Sequence, residues 1–310
     1  MEVNGYFLLG IVLRDTESRV RGLKRLKAVV IITIAEIYPH EPEHLHVVVG
    51  QIEERVQLIK AWSIQPGERV LEIGCGQGDC TAALAVAVGE KGSVTAVDPA
   101  SLDYGSPYTL GEAQAHLRAS PVGSRITFVQ ADPVAFLGST TETYTTAVLA
   151  HCTWYFASPA VLSEILSALA LRVERICIAE WALSASDARS VPHVLATFAQ
   201  VSLECRKSET KSNIRTVLSP AAMRAAAAAS RLTLQKEETV VPGDGMLDAQ
   251  WEVGLVLSQG WAKEVERFVE SAREKAVVFA ARDAVRAAVD LLKGEKVRAM
   301  DVWVATFAKE

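Results

Sequence analysis

Apolar positions along the chain follow two different periods. From position 66 onward, short β-rich apolar runs cover Arg69 to Ile73, Ser93 to Val97, Arg125 to Gln130, Thr145 to Ala150, Arg175 to Glu180 and Leu232 to Val240. Between them, at Cys80 to Val88, Leu110 to Ala119, Pro159 to Leu171 and Pro220 to Ser230, apolar residues recur at helical spacing. Strands and helices alternating at this pitch predict an α/β fold, a doubly wound and mostly parallel sheet with helices on both faces. A last apolar run, Asp301 to Phe307, predicts a closing seventh strand.

The rest of the pattern departs from this alternation. Residues 1–65 read as an N-terminal helical segment, in which the apolar runs Gly5 to Leu13 and Ala28 to Ile37 are separated by the Arg19 to Lys27 charge run. The break Tyr38-Pro39-His40-Glu41-Pro42 precedes an amphipathic helix, with Ile52, Val56, Ile59 and Trp62 on its apolar side and Glu53, Glu54, Arg55 and Lys60 between them. The interval 184–216 is too long for an ordinary connection, and Val194, Phe198 and Val201 recur at helical spacing, so an inserted cap or helix pair is expected there. A turn at Val241-Pro242-Gly243-Asp244-Gly245 precedes one long charged helix from about Ala262 to Leu292.

Composition narrows the class. Half of the 310 residues are hydrophobic and 22% are charged, enough apolar material for a sizeable core. The net charge of -5, with no lysine or arginine block, argues against a dedicated nucleic-acid binder. Five scattered cysteines, none in a Cys-x-x-Cys pair, suggest neither a disulfide framework nor a zinc ribbon. The two N-terminal apolar runs fall short of the roughly 20 residues that span a bilayer, and the first follows Glu2 without a basic n-region. No membrane partner and a cytoplasmic location are therefore expected. His40, His44 and His46 lie close together, but two prolines interrupt them and no H-E-x-x-H spacing is present, so no metal is expected.

The chemistry concentrates in Val70-Leu71-Glu72-Ile73-Gly74-Cys75-Gly76-Gln77-Gly78-Asp79, an apolar strand that runs into three alternating glycines and then a helix. Glycines there let the backbone approach a nucleotide, and the helix offers unpaired N–H groups. A dinucleotide site would place its third glycine at position 79, which is Asp79. The stretch resembles motif I of the class I S-adenosylmethionine-dependent methyltransferases. Val94-Thr95-Ala96-Val97-Asp98 and Ile126-Thr127-Phe128-Val129-Gln130-Ala131-Asp132 end the next two strands in acids, in the order and at the distances that the family requires. The resemblance implies a methyltransferase domain over 66–310, with S-adenosyl-L-methionine as cofactor. The cap insert after the fifth strand, with no Pro-Gly-Gly turn before it, looks like the small-molecule methyltransferases of fungal specialised metabolism, and the lack of an Asn-Pro-Pro-Tyr-like motif after the fourth strand argues against base or glutamine-amide methylation.

On this resemblance Asp98 is the partner of the ribose diol, and Asp132, followed by Pro133, is the acceptor for the adenine amino group; both also suit helix caps. Gly74, Cys75, Gly76 and Gly78 would line the methionine and ribose side, Pro99 would follow the ribose acid, and Glu72 would organise the glycine loop or approach the methionine amino group. The aromatic loop from Asp98 to Tyr108 reads as a cover, with Tyr104 and Tyr108 as ring contacts, or as a plain surface turn.

Ligands of such sheets bind beyond the carboxyl ends of the strands. His151, at the end of the fourth strand, is the first catalytic candidate, as a general base or as a structural histidine. Trp154 and Tyr155 would wall the acceptor or, as a cluster, pack under the lid. Glu180 and Trp181 at the fifth strand tip, and His193 in the insert, are the next candidates, Glu180 and His193 as catalytic groups and Trp181 for substrate. The expected reaction is methyl transfer to an oxygen or nitrogen of a small molecule; the alternative is a cofactor-binding protein without transfer activity. A homodimer is left open.

Overall fold

The computed structural model describes residues 28–208, 210 and 212–309; the apolar run Gly5 to Leu13 lies outside them. Helix α1 covers 28–37, followed by α2 (Leu45–Trp62), β1 (Arg69–Ile73), α3 (Asp79–Val88), β2 (Ser93–Asp98), α4 (Leu110–Ala119) and β3 (Ile126–Gln130). The chain continues through α5 (Pro133–Ser139), β4 (Tyr144–Ala150), α6 (Pro159–Leu169), β5 (Val173–Trp181), α7 (Val191–Glu204), α8 (Pro220–Ala229) and β6 (Leu232–Val240). It ends with α9 (Asp248–Leu257), α10 (Gln259–Phe268), α11 (Ala272–Leu291) and β7 (Val302–Lys309).

The strands form one seven-stranded sheet in the order β3-β2-β1-β4-β5-β7-β6. β1 to β5 pair in parallel, and β7 enters antiparallel between β5 and β6. The order reverses at β1, which lies between β2 and β4, so a crevice opens where the β1 and β4 loops diverge. Both faces of β1 are covered: Val70 packs into the core under α2 and α3, while Leu71 and Ile73 pack into the core under α6.

Local signals explain most element ends. Thr109 and Glu112 close a capping box on α4, and Ser219 caps α8 with Pro220 in its first turn. The expected long helix over 262–292 is instead two helices. Val269 adopts an extended conformation, and the Ser271 side chain accepts from Glu274 N to start α11 afresh. The expected helix pair in 184–216 is one α-helix, α7, and the cap is completed by α9, α10 and α11, which share an apolar cluster with it. Neither α5 nor α9 is anticipated by the apolar pattern.

The N-terminal helices are bound to the sheet at both ends of α2. At its carboxyl end, Arg175 of β5 donates to Trp62 O (2.6 Å), to Thr146 Oγ1 (2.8 Å) and to Glu68 Oε1 (2.8 Å). At its amino end, Gly50 faces the turn before α9 so closely that a Cβ there would lie 2.1 Å from Gly245 O. Replacing Arg175 by Met keeps the aliphatic stem and removes charge-assisted hydrogen bonds. We expect a loss of about 2 kcal/mol in urea unfolding, with an unchanged m-value.

Candidate active site

The glycine turn after β1 carries positive φ at Gly74, Gly76 and Gly78. Gly74 forms its floor, because a Cβ there would come within 2.5 Å of Cys152 Cβ on the loop after β4. Gly76 is open, with nothing within 4 Å of where its Cβ would stand. Gly78 instead packs against Leu117 and Phe128. Asp98 closes the turn from the side: its Oδ2 accepts from Gly76 N (2.8 Å) and its Oδ1 from Ala100 N (2.9 Å). The carboxylate is half-buried, and each oxygen keeps a second lone pair for a ligand hydroxyl. Asp79 occupies the first turn of α3 and its Oδ1 accepts from Cys80 N (2.7 Å). A carboxylate there puts negative charge where a dinucleotide site would hold pyrophosphate. A nucleoside with a sulfonium and no phosphate fits this donor set.

Glu72 lies beneath the turn and is buried, with Thr81 Oγ1 donating to its Oε2 at 2.5 Å. Burial pushes its carboxyl up to about 8. It joins β1 to the first turn of α3. Cys75 and Pro133 are buried as well, and Pro99 is exposed beside the turn. Asp132 caps α5, its Oδ1 accepting from Ala135 N (2.9 Å).

A buried ionic chain crosses the carboxyl ends of the strands. From α2, Arg55 pairs with Asp79 (2.8 Å) and with Glu54, and Glu54 Oε1 meets His151 Nε2 at 2.9 Å. His151 Nδ1 then lies 3.5 Å from Glu180 Oε1. Glu180 Oε2 accepts from Thr153 N (3.0 Å) and Thr153 Oγ1 (2.8 Å), holding the β4 loop against β5. His151 sits at φ 49°, the left-handed region that side chains other than glycine rarely occupy, at the one position where the chain turns into this cluster.

Burial opposes the charge on His151, but the neighbouring carboxylates Glu54 and Glu180 outweigh it and lift its pKa to about 9. Burial also raises the Glu54 carboxyl, and the charges of Arg55 and His151 bring it below the ordinary value. At neutral pH the centre of the chain is an imidazolium between two carboxylates.

Trp181 stacks on His151 (ring centroids 4.6 Å apart) and meets His193 edge-on at 5.0 Å. His193 is fully buried; its Nδ1 accepts from Met300 N (2.9 Å), so its Nε2 carries the proton and donates to Glu252 (3.1 Å). Tyr155 is 41% exposed, on the same loop as His151. Its hydroxyl is held protonated by burial and by the charges of its surroundings, Asp248, Glu180 and Glu252 among them. Trp154 is placed differently from the acceptor wall expected of it: it is 3% exposed and its indole donates to Leu218 O (3.2 Å), packing beneath the segment that leads to α8.

The loop after β2 bridges three parts of the molecule. Tyr104 donates to Asn213 Oδ1 (3.2 Å), Tyr108 to Glu41 Oε1 (3.0 Å), and Gln77 of the glycine turn donates to Tyr108 O while accepting from Tyr38 (3.2 Å). His151, Glu180, Trp181 and His193 thus come together, and Tyr104 and Tyr108 reach the rim.

The apolar pattern misses Glu54 and Arg55, which it assigns to the polar side of an amphipathic helix and which are in fact buried. It misses Asp248 and Glu252 with the helix that carries them. Paired opposite charges inside an apolar run, as at Glu54-Arg55, are the signal that could have found the first two.

Residues 70–171 match the family model described as a methyltransferase domain. The chain carries a class I S-adenosylmethionine-dependent methyltransferase domain. This methyltransferase is 28% identical, over 334 aligned positions, to methyltransferases phomM' and phomM of Diaporthe leptostromiformis, with 87% of this chain and 86% of each relative covered. A crystal structure of a cyclopropane-fatty-acyl-phospholipid synthase-like protein from Lactobacillus casei superposes with a TM-score of 0.77 at 27% identity, covering 90% of this methyltransferase and 98% of that chain. Among the described residues no helix is long and apolar enough to cross a membrane.

The ionic chain predicts a pH signature. The native state holds a proton on His151 up to about pH 9, whereas its ordinary value is 6.5. The stabilisation is complete below 6.5 and is lost as pH rises through 9, roughly 3 kcal/mol in all. Glu72, with its carboxyl at about 8, acts in the same direction at lower pH. The Tm should fall from pH 6.5 to 9, and His151→Gln should flatten the part above pH 8 in thermal melts; a flat wild-type curve there would show His151 already neutral.

Proposed function

We propose that the methyltransferase moves a methyl group from S-adenosylmethionine to an oxygen or nitrogen of a small-molecule acceptor bound beneath the cap, in metal-free chemistry. One observation carries this reading. The loop after β4 that bears His151 and Tyr155 abuts the glycine turn through Cys152 and Gly74, so the acceptor groups and the cofactor turn share one crevice.

In this proposal Asp98 takes the ribose hydroxyls, and the open face of Gly76 admits the cofactor. Asp132 offers the oxygen not engaged in capping α5 to the adenine amino group. Glu72, Cys75, Gly78, Pro99 and Pro133 shape the turn and the adenine wall around these contacts. When bound, S-adenosylmethionine supplies a methyl group on a positively charged sulfur. The protein's work is mostly alignment, which can contribute on the order of 7–11 kcal/mol of the barrier. His151 enters the reaction already protonated, so its role here is not that of the resting general base. Held by Glu54 and Glu180, it positions Trp181 and the β4 loop at the edge of the crevice. Tyr155 and Trp181 wall the acceptor, His193 supports Trp181 from behind, and Tyr104 and Tyr108 tie the cover.

Calorimetry with S-adenosylhomocysteine and a tritium-methyl transfer assay over a metabolite panel test the reading together. Labelled oxygen- or nitrogen-methyl product is expected. Tight binding with no labelled product would favour a cofactor-binding protein instead, and label in phospholipid acyl chains would assign a lipid acceptor, as the name of the Lactobacillus casei relative suggests. Asp98→Ala should weaken S-adenosylhomocysteine at least tenfold, since a charge-assisted hydrogen bond is worth about 1.5–3 kcal/mol. His151→Gln should lower turnover while leaving that affinity within about threefold, because its contacts lie on the acceptor side.

A further inference from the structure

Buried polar atoms are nearly always paired, so those without a partner call for an explanation, a catalytic role or a bound group among them. Among the described residues, four buried side-chain atoms lack a hydrogen bond: His151 Nδ1, Gln200 Nε2, Asp248 Oδ2 and Arg298 Nε. Two are accounted for by ion pairs, Arg298 Nε with Asp244 Oδ1 at 2.9 Å and His151 Nδ1 with Glu180 Oε1 at 3.5 Å. The other two, an acceptor and a donor, both belong to the cap.

They lie on α7 and α9, two helices that pack together. On α7 the buried polar residues His193, Thr197, Gln200 and Glu204 repeat at helical spacing, while Ala196, Ala199 and Leu203 fill the apolar interior of the cap. Packing alone does not call for a buried polar stripe. Three of its members are satisfied within the protein: His193 by Glu252 and Met300, Thr197 by His193 O (3.1 Å), and Glu204 by Lys207 and Thr210. Gln200 is not. From α9, which packs on α7, Asp248 and Glu252 stand four residues apart on one face. The turn before α9 rests on Gly50 of α2, five residues before Arg55, and Asp248 stands within range of the charges of Arg55 and His151.

The titratable groups that act on Asp248 lie on the elements around it: Arg55 of α2, His151 after β4, His193 of α7 and Glu252 of its own helix. The hydrogen bond from Met300 fixes His193 as a neutral ring. Four carboxylates, Glu54, Glu180, Asp248 and Glu252, therefore face two cations, and one of these, Arg55, is shared with Asp79. The surplus is negative, and it suits a cationic ligand.

We propose that Asp248 binds the nitrogen of an amine acceptor in its ammonium form and takes the proton that this nitrogen must lose, while Gln200 donates to an oxygen of the same molecule. The proposal rests on the methyl-transfer reading above and names its acceptor class. The ammonium first passes one proton to the Asp248 carboxylate. The freed nitrogen lone pair then forms the new N–C bond as the methyl–sulfur bond breaks with its electron pair left on sulfur. The product departs as the methylated ammonium, and Asp248 returns its proton to solvent. Burial raises the Asp248 carboxyl above its ordinary value, which suits a proton acceptor in this setting. Gln200 lies seven residues along α7 from His193, about 10 Å along the helix axis, so the oxygen is expected several bonds away from the amine.

The test uses the full chain saturated with S-adenosylhomocysteine and follows binding of 6-aminohexanamide, 6-hydroxyhexanamide and hexylamine by ligand-observed NMR titration. The wild type should bind 6-aminohexanamide at least tenfold more tightly than its hydroxyl analogue. Asp248→Asn, which keeps the side-chain shape, should erase that difference, and Gln200→Leu should weaken 6-aminohexanamide severalfold while leaving hexylamine unchanged. Both variants should keep the wild-type affinity for S-adenosylhomocysteine, which also shows that they are folded. Equal affinities in the wild type, no binding of either amide, or discrimination that survives Asp248→Asn would overturn the proposal. Failure of the wild type to bind S-adenosylhomocysteine would overturn the methyl-transfer reading beneath it.

Discussion

The arrangement at the carboxyl end of the sheet depends on one ionic chain, from Asp79 through Arg55, Glu54 and His151 to Glu180. Its members come from α2, from the start of α3, from the loop after β4 and from the end of β5. Removing one partner from such a buried set leaves a charge uncompensated, which typically costs about 3–5 kcal/mol. The chain therefore does more than stabilise. It fixes the N-terminal helices to the sheet in one position, and the acceptor side of the crevice inherits that position.

Under the proposed function, the same chain divides the crevice electrically. On the cofactor side, backbone N–H groups converge on Asp98, and the glycine turn presents open backbone at Gly76. On the acceptor side, side-chain carboxylates predominate and the imidazolium of His151 stands between two of them. Arg55 lies between the two sides and serves both, since Asp79 borders the glycine turn and Glu54 borders His151. A change at Arg55 would disturb cofactor and acceptor together, whereas changes at Asp98 or Asp248 should separate them.

The parallel strands were legible because each is a short apolar run, buried on both faces in β1, β4 and β5 and partly exposed in the edge strand β3, and the closing strand because most of its length is buried. The glycine turn and the acids at positions 98 and 132 were legible because their spacing is set by strand ends. What escaped was the consequence of long-range pairing. Glu54 and Arg55 look like solvated helix residues until His151 and Asp79 are brought to them from 97 and 24 positions away. Asp132 with Pro133 is the cap that its residue types also suited, and it starts α5, whereas the start signal of α11, Ser271 with Glu274, lies hidden inside a continuous run of charge. An aromatic cluster at a strand end does not reveal which ring turns inward, and Trp154 is the ring that packs.

Asp301, just before β7, holds Ser184 and Ser186 at the point where the chain leaves β5 for the cap. β7 itself pairs with β5 along Glu180 and Trp181. The crevice is thus closed by a stretch of chain that is synthesised after every residue that lines it. During translation the cap can form its own apolar interior, but it has no fixed departure point until residues 301–309 have left the ribosome. Binding competence should therefore arrive abruptly, once residues 301–309 have emerged, rather than growing as the glycine turn and the cap emerge.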